Sequence, residues 1–156
     1  MRLDSAQGYF ALGMRDDAWA EVNAVAGKYG DSIEVCELSL SFLLAEQKWE
    51  KALKVSQRIC EELPDVETGY IHAAYCQHEL GDTPTACDTL RGGPASLSKN
   101  PLYHYNLGCY YAVLGDLDEA TDALRKAFKL DAKLADMARD DPDLASVREV
   151  IDSLAT

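Results

Sequence analysis

The chain has 156 residues, 47% of them apolar, and its 27 Asp and Glu against 15 Lys and Arg leave a formal charge of −12. A chain of this length suits one domain or one short array, and buries roughly two thirds of its unfolded surface without needing staples. The charge argues against non-specific contact with DNA, RNA or anionic lipid, all of which reward positive groups. The five cysteines, Cys36, Cys60, Cys76, Cys87 and Cys109, are odd in number and form no CxxC, which reads as reduced, mostly buried thiols in a reducing compartment. The first residues, MRLDSAQGYFALGM, carry an early acid and no apolar signal core, so export is not expected. The longest apolar stretch, 38–45, is too short to cross a bilayer. The expected location is therefore cytoplasmic.

Gly and Pro mark most of the breaks between the apolar-periodic segments. A first helix is predicted over about 3–13, ended at Gly13, and a second over 16–28, ended at Gly30–Asp31. The next two are predicted over 33–46 and 49–62, stopped by Pro64–Asp65. A third pair follows over 67–80 and 84–92; Asp82-Thr83-Pro84 places a capping side chain ahead of a proline suited to the first helical turn, and Gly92-Gly93-Pro94 closes it. The fourth pair is predicted over 101–114 and 117–130, with Asp116, Asp118 and Glu119 at a helix start, where the dipole favours acids. Beyond it, 134–139 reads as a short helix. Asp141, as N-cap, and Pro142 then open a last one, with Leu144, Val147, Ile151 and Leu154 at helical spacing. No alternating strand pattern occurs, so the expected class is all-α.

The pairs repeat. Ala18, Ala52, Ala86 and Ala120 stand 34 residues apart, and Gly13, Gln47, Gly81 and Gly115 share a second register of the same step. A fixed period of this length means one supersecondary unit stacked as a solenoid. The alanine column is expected where the two helices of a pair cross, because only a small side chain allows close approach. Further columns should face inward: Val22, Ser56, Leu90 and Leu124; Val25, Ile59, Gly93 and Ala127; Ala6, Leu40, Ala74 and Gly108; Tyr9, Leu43, Gln77 and Tyr111. Ser56, Gln77 and Gly93 are the weak members. A solenoid exposes an apolar end unless something covers it, so 134–154 reads as a C-terminal cap. The first helix has no such cover in the sequence and is expected either to be exposed or to pack on a second copy.

The fourth unit, PLYHYNLGCYYAVLGDLDEATDALRKAFKLDAK over 101–133, resembles a tetratricopeptide repeat. Leu107-Gly108, Tyr111, Gly115, Ala120, Leu124 and Ala127 fill the family's signature slots; His104 stands in the tryptophan slot, Ala132 in the terminal proline slot, and Pro64 supplies that proline in the second unit. The resemblance covers about 1–133 and is similar to small bacterial members of the family. It implies a right-handed α-solenoid of four helix-turn-helix units, at about 1–31, 32–65, 66–99 and 100–133, followed by a capping segment over 134–156.

The resemblance also implies that first helices line a concave groove. Its rows would hold Leu3, Glu37, Ile71 and Tyr105, and Gln7, Ser41, Tyr75 and Cys109, with His72, Asn106, His78 and Glu79 beside them. Of the four tyrosines on 102–114, Tyr110 and Tyr111 are expected to pack between helices and Tyr105 to be exposed, where its area and hydroxyl suit an interface. No Lys or Arg occurs in 33–46, 67–80 or 102–114, while basic residues cluster at Lys48, Lys51, Lys54 and Arg58 and at Arg125, Lys126, Lys129 and Lys133, on the back. A ligand carboxylate would find no cation in the groove, so carboxylate-gripping recognition is excluded.

Other chemistry finds little footing. His72 and Cys76 have the i, i+4 spacing of two metal ligands, with Cys109 on the next unit, but buried cysteines explain the pattern better. Cys109 with His72 or His78 is the one nucleophilic pairing in sight, and no orienting acid or phosphate loop accompanies it. The expectation is a non-catalytic protein-interaction module, an adaptor, scaffold or chaperone, without metal or cofactor. It would take a neutral or basic peptide or helix of another protein on Glu37, Ser41, Ile71, His72, Tyr75, Glu79, Tyr105, Asn106 and Cys109. Two alternatives stand beside it: a groove filled by the chain's own terminal helix, and a structural module that homodimerises through its first helix.

Overall fold

The computed structural model describes residues 2–155; Met1 and Thr156, the outer ends of the first expected unit and of the expected cap, lie outside the described residues. Four helix pairs follow one another: α1 (Arg2–Ala11) with α2 (Arg15–Tyr29), α3 (Ile33–Ala45) with α4 (Trp49–Glu62), α5 (Glu67–Glu79) with α6 (Thr83–Arg91), and α7 (Pro101–Leu114) with α8 (Leu117–Leu130). Within each pair the two helices pack on each other, and each pair stacks on the next, giving an all-α solenoid. After α8 come α9 (Leu134–Asp140), a 3-10 stretch over Pro142–Val150 and the short α10 (Ile151–Leu154).

The Gly13, Gln47, Gly81 and Gly115 column has a single backbone cause. All four have positive φ, at 78°, 57°, 89° and 84°. In every pair the amide just past this residue bonds back to the first helix: Met14 to Tyr9, Lys48 to Leu43, Asp82 to Gln77 and Asp116 to Tyr111, each at 2.9 Å. This is the Schellman closure, which needs a left-handed residue and satisfies the orphan carbonyls at a helix C-terminus. Glycine enters that region freely, so Gln47 is the one side chain held there against its preference.

The alanine column is fully buried, and so are the Val22, Ser56, Leu90, Leu124 column and the Ala6, Leu40, Ala74, Gly108 column. At Gly108 the helices of the fourth pair approach so closely that a Cβ would lie 2.7 Å from Leu124 Cγ. The weak members are accommodated individually. Ser56 donates its hydroxyl to the Ala52 carbonyl at 2.8 Å, and Gln77 accepts from the Thr89 hydroxyl at 2.7 Å, so each has a partner in the interior. Gly93 follows the early end of α6; Leu97, on a short 3-10 turn over Ala95–Lys99, fills the space, and a Cβ on Gly93 would lie 2.4 Å from it.

Candidate functional site

The two predicted groove rows part company along the solenoid. Glu37, Ser41 and Tyr75 are exposed and Ile71 is half-buried, whereas Tyr105 and Cys109 are buried. Tyr105 was expected at the surface; the C-terminal segment covers it. The 3-10 stretch over 142–150 packs on α7, and the residue before it, Asp141, points its carboxylate at the fourth pair. Asp141 Oδ2 accepts from the Tyr105 hydroxyl at 2.8 Å and faces the Cys109 thiol at 3.7 Å. Its other oxygen caps the segment by accepting from the Asp143 amide at 3.0 Å. The N-cap expected from the sequence therefore performs a second task. Burial and the neighbouring Asp141 push the phenol of Tyr105 and the thiol of Cys109 well above their ordinary values.

A second tie lies beside the first. His78 Nε2 sits 2.9 Å from Asp143 Oδ2, its Nδ1 sits 2.9 Å from the Thr83 hydroxyl, and its ring lies against Tyr110. Hydroxyl, imidazole and carboxylate in line are also the parts of a nucleophilic triad. Here Thr83 is buried in the first turn of α6, so the line joins the third pair to the segment instead of presenting a nucleophile. Burial, with Asp141 beside it, disfavours the Cys109 thiolate, and His78 is committed to Thr83 and Asp143. Among the described residues, no group of three or more His, Cys, Asp and Glu could hold a metal ion.

The covering segment is anchored as core. Leu144, Val147 and Ile151 are buried, and each such side chain contributes about 1.5–3 kcal/mol. A segment held by that much burial, besides its hydrogen bonds, is a permanent part of the fold. The candidate groove residues left exposed are therefore on α1, α3 and α5.

That stretch is acidic and carries aromatic surface. Between α1 and α3 a cleft of about 360 Å³ has Leu3 and Leu38 with Gln7, Ser41, Glu34 and Glu37 around it. Ser41 donates its hydroxyl to the Leu38 carbonyl at 2.8 Å. Backbone hydrogen bonding and Ser32 hold the Glu34 carboxyl below the usual range, so it stays charged. On α5, Tyr75 is 38% exposed and stands edge-on to Trp49, ring centres 5.5 Å apart. His72 is half-buried, its Nδ1 has no hydrogen-bond partner among the described residues, and burial lowers its pKa, so the ring is neutral at pH 7. Glu79 is exposed beyond Tyr75, and Asn106 is half-buried on α7.

Two contributors were missed from the sequence. Trp49 follows the turn of the second pair in a column that reads Arg15, Trp49, Thr83, Leu117, so no shared residue type marked it. Asp141 was read only as a cap.

An all-α solenoid of stacked helix pairs belongs to the class of helical-repeat folds, and in this one α3 and α5 carry no Lys or Arg. Residues 101–134 match the tetratricopeptide repeat family. The solved structure of MamA MSR-1 superposes with a TM-score of 0.72 at 19% identity, covering 85% of this chain and 76% of that one. A double mutant of MamA RS-1 gives 0.76 at 15% identity, over 98% and 92%. TTC0263, described as a thermophilic TPR protein of Thermus thermophilus, gives 0.70 at 18% identity, over 99% and 88%. No curated protein matches the sequence significantly. The family match is confined to residues 101–134, and the remaining helix pairs share the fold of these solved structures. No helix among the described residues is long and apolar enough to cross a membrane.

Proposed function

We propose that this protein is a non-catalytic adaptor that holds a segment of another protein along the open stretch of its concave groove, on α1, α3 and α5. The repeat array over 1–133 would supply the surface and the segment over 134–156 the cap. The observation that carries the reading is the contrast within one pair of rows: Glu37, Ser41 and Tyr75 open to solvent, Tyr105 and Cys109 covered by the chain itself. Tyr75 and Ile71 would provide contact area; Glu37, Glu79, Ser41 and His72 would provide polar selection. With Glu37 and Glu79 exposed and no Lys or Arg on α3 or α5, the ligand is a neutral or basic peptide or helix. Five cysteines without a disulfide among them fit work in a reducing compartment such as the cytoplasm.

The test is affinity capture from a lysate of the source cells with three baits: the native chain, Glu37→Lys/Tyr75→Ala, and Tyr105→Phe. The partner is expected with the native chain and with Tyr105→Phe, and lost with the double variant. Equal recovery on all three would remove the groove from the account.

A further inference from the structure

The turn edge of the third and fourth pairs shows a surface that the groove does not use. Leu80, Val113, Leu114 and Leu117 are 42%, 48%, 40% and 43% exposed. Leu80 and Leu114 occupy the same place in the 34-residue register, each immediately before the left-handed glycine, and their helices α5 and α7 pack against each other. Scattered exposed leucines need no explanation, but several gathered on one edge mark an interaction surface.

Acids predominate around this edge. Glu79, Asp82, Asp116, Asp118 and Glu119 surround the apolar residues, and none of the five takes part in an ion pair among the described residues. Neither 59–90 nor 100–124 contains a Lys or Arg. On the second-pair side Lys48 and Lys51 border a cleft of about 440 Å³ shared with Trp49 and Leu80, Lys48 being bound to Glu46 at 2.6 Å, and on the fourth pair Glu119 shares a cleft with Arg91 and Lys126.

We propose that this edge docks a cationic amphipathic helix of a partner protein. Apolar anchors of the helix rest on Leu80, Leu114 and Leu117, and its Lys or Arg flank lies over Asp116, Asp118 and Glu119. The charges give the docking a direction: the cationic end points to the fourth pair, away from Lys48 and Lys51. Apolar contact supplies the affinity, and the unpaired acids supply selection and salt dependence. The surface shares only Glu79 with the groove, so each can fail without the other.

The test uses two 18-residue amphipathic helices as probes, one of leucine and lysine and one of leucine and glutamate, titrated calorimetrically into the full chain. The lysine helix is expected to bind, more weakly as salt rises, and the glutamate helix at least tenfold more weakly. Amide NMR shifts should gather at 79–83 and 113–119. Leu80→Ser/Leu114→Ser/Leu117→Ser should weaken binding at least tenfold, and so should Asp118→Lys/Glu119→Lys, which leaves the apolar surface intact and covers the case in which the triple variant folds poorly. Glu37→Lys/Tyr75→Ala should bind unchanged. Equal binding of both helices, unchanged affinity in the Asp118→Lys/Glu119→Lys variant, or shifts gathered on α1 and α3 would each overturn the proposal.

Discussion

The C-terminal half, α5 to α10, and the N-terminal half, α1 to α4, are built from the same repeat but packed differently. In the C-terminal half one continuous apolar cluster runs from Ala74 through Leu124 to Ile151, and the groove above it is occupied by the chain itself. The N-terminal half has two smaller clusters, one around Ala6, Val22 and Phe42 and one around Leu40, Ala52 and Ile59, with Trp19 touching both. Trp19 is fixed there by its indole N–H, which donates to Glu46 at 3.1 Å. The difference teaches a division of labour within a solenoid. Over α7 the C-terminal segment turns one part of these rows into core; on α3 and α5 the same rows hold exposed residues.

The largest effect should come from the seal. Leu144→Ala empties a fully buried site and should cost about 2–5 kcal/mol, read from the urea midpoint. A loss below about 1 kcal/mol would mean that the segment is only loosely applied, against the assignment of permanent core.

One chemical change should have opposite signs in the two halves. Gly108→Ala puts a methyl 2.7 Å from Leu124 Cγ and should destabilise by about 1–3 kcal/mol. Gly8→Ala, in α1 with nothing within 4 Å of the added carbon, should stabilise by about 0.5–1 kcal/mol through helix propensity. Thermal midpoints moving the same way in both variants would dissolve the contrast.

The turn column offers a smaller adjustment. Gln47→Gly relieves the one non-glycine side chain at positive φ among the described residues, at 57°, and should gain about 0.5–1 kcal/mol after the added freedom of the unfolded chain is counted. A loss in the urea midpoint would show that the Gln47 side chain, which borders the cleft with Trp49, contributes more than the backbone strain costs.

The finest effect is in the pH profile. Burial lowers the pKa of His72 from its ordinary 6.5, so the unfolded chain takes up that proton first on acidification. The stability this neutral ring contributes is complete above about pH 6.5 and is lost as pH falls from there through the lowered value. The drop in midpoint between pH 7.5 and 5.5 should be smaller in His72→Gln than in the native chain. Equal drops would place His72 in a solvated setting.

Most of the fold was legible because period and backbone agree. The 34-residue step in Ala18, Ala52, Ala86 and Ala120 reflects helix crossings, and the step in Gly13, Gln47, Gly81 and Gly115 reflects one turn conformation repeated four times. Both are local requirements written at fixed spacing. The site was legible only in part. Which of Tyr75 and Tyr105 stays open depends on where 141–147 lands, and that contact joins residues 36 positions apart through a single carboxylate. Nothing in the period encodes it. The sequence did announce that an apolar end needs a cover, and a groove filled by the chain's own terminal helix stood among its alternatives; it did not show that Tyr105 and Cys109 are the residues covered.

Hydroxyl-radical footprinting of the isolated chain tests the central claim most directly, because it reads tyrosine access without any partner. Tyr75 should be oxidised readily and Tyr105 protected, with Tyr105 protection lost in Leu144→Ala. Equal oxidation of Tyr75 and Tyr105 in the native chain would contradict the account, since the groove would then be open along its whole length.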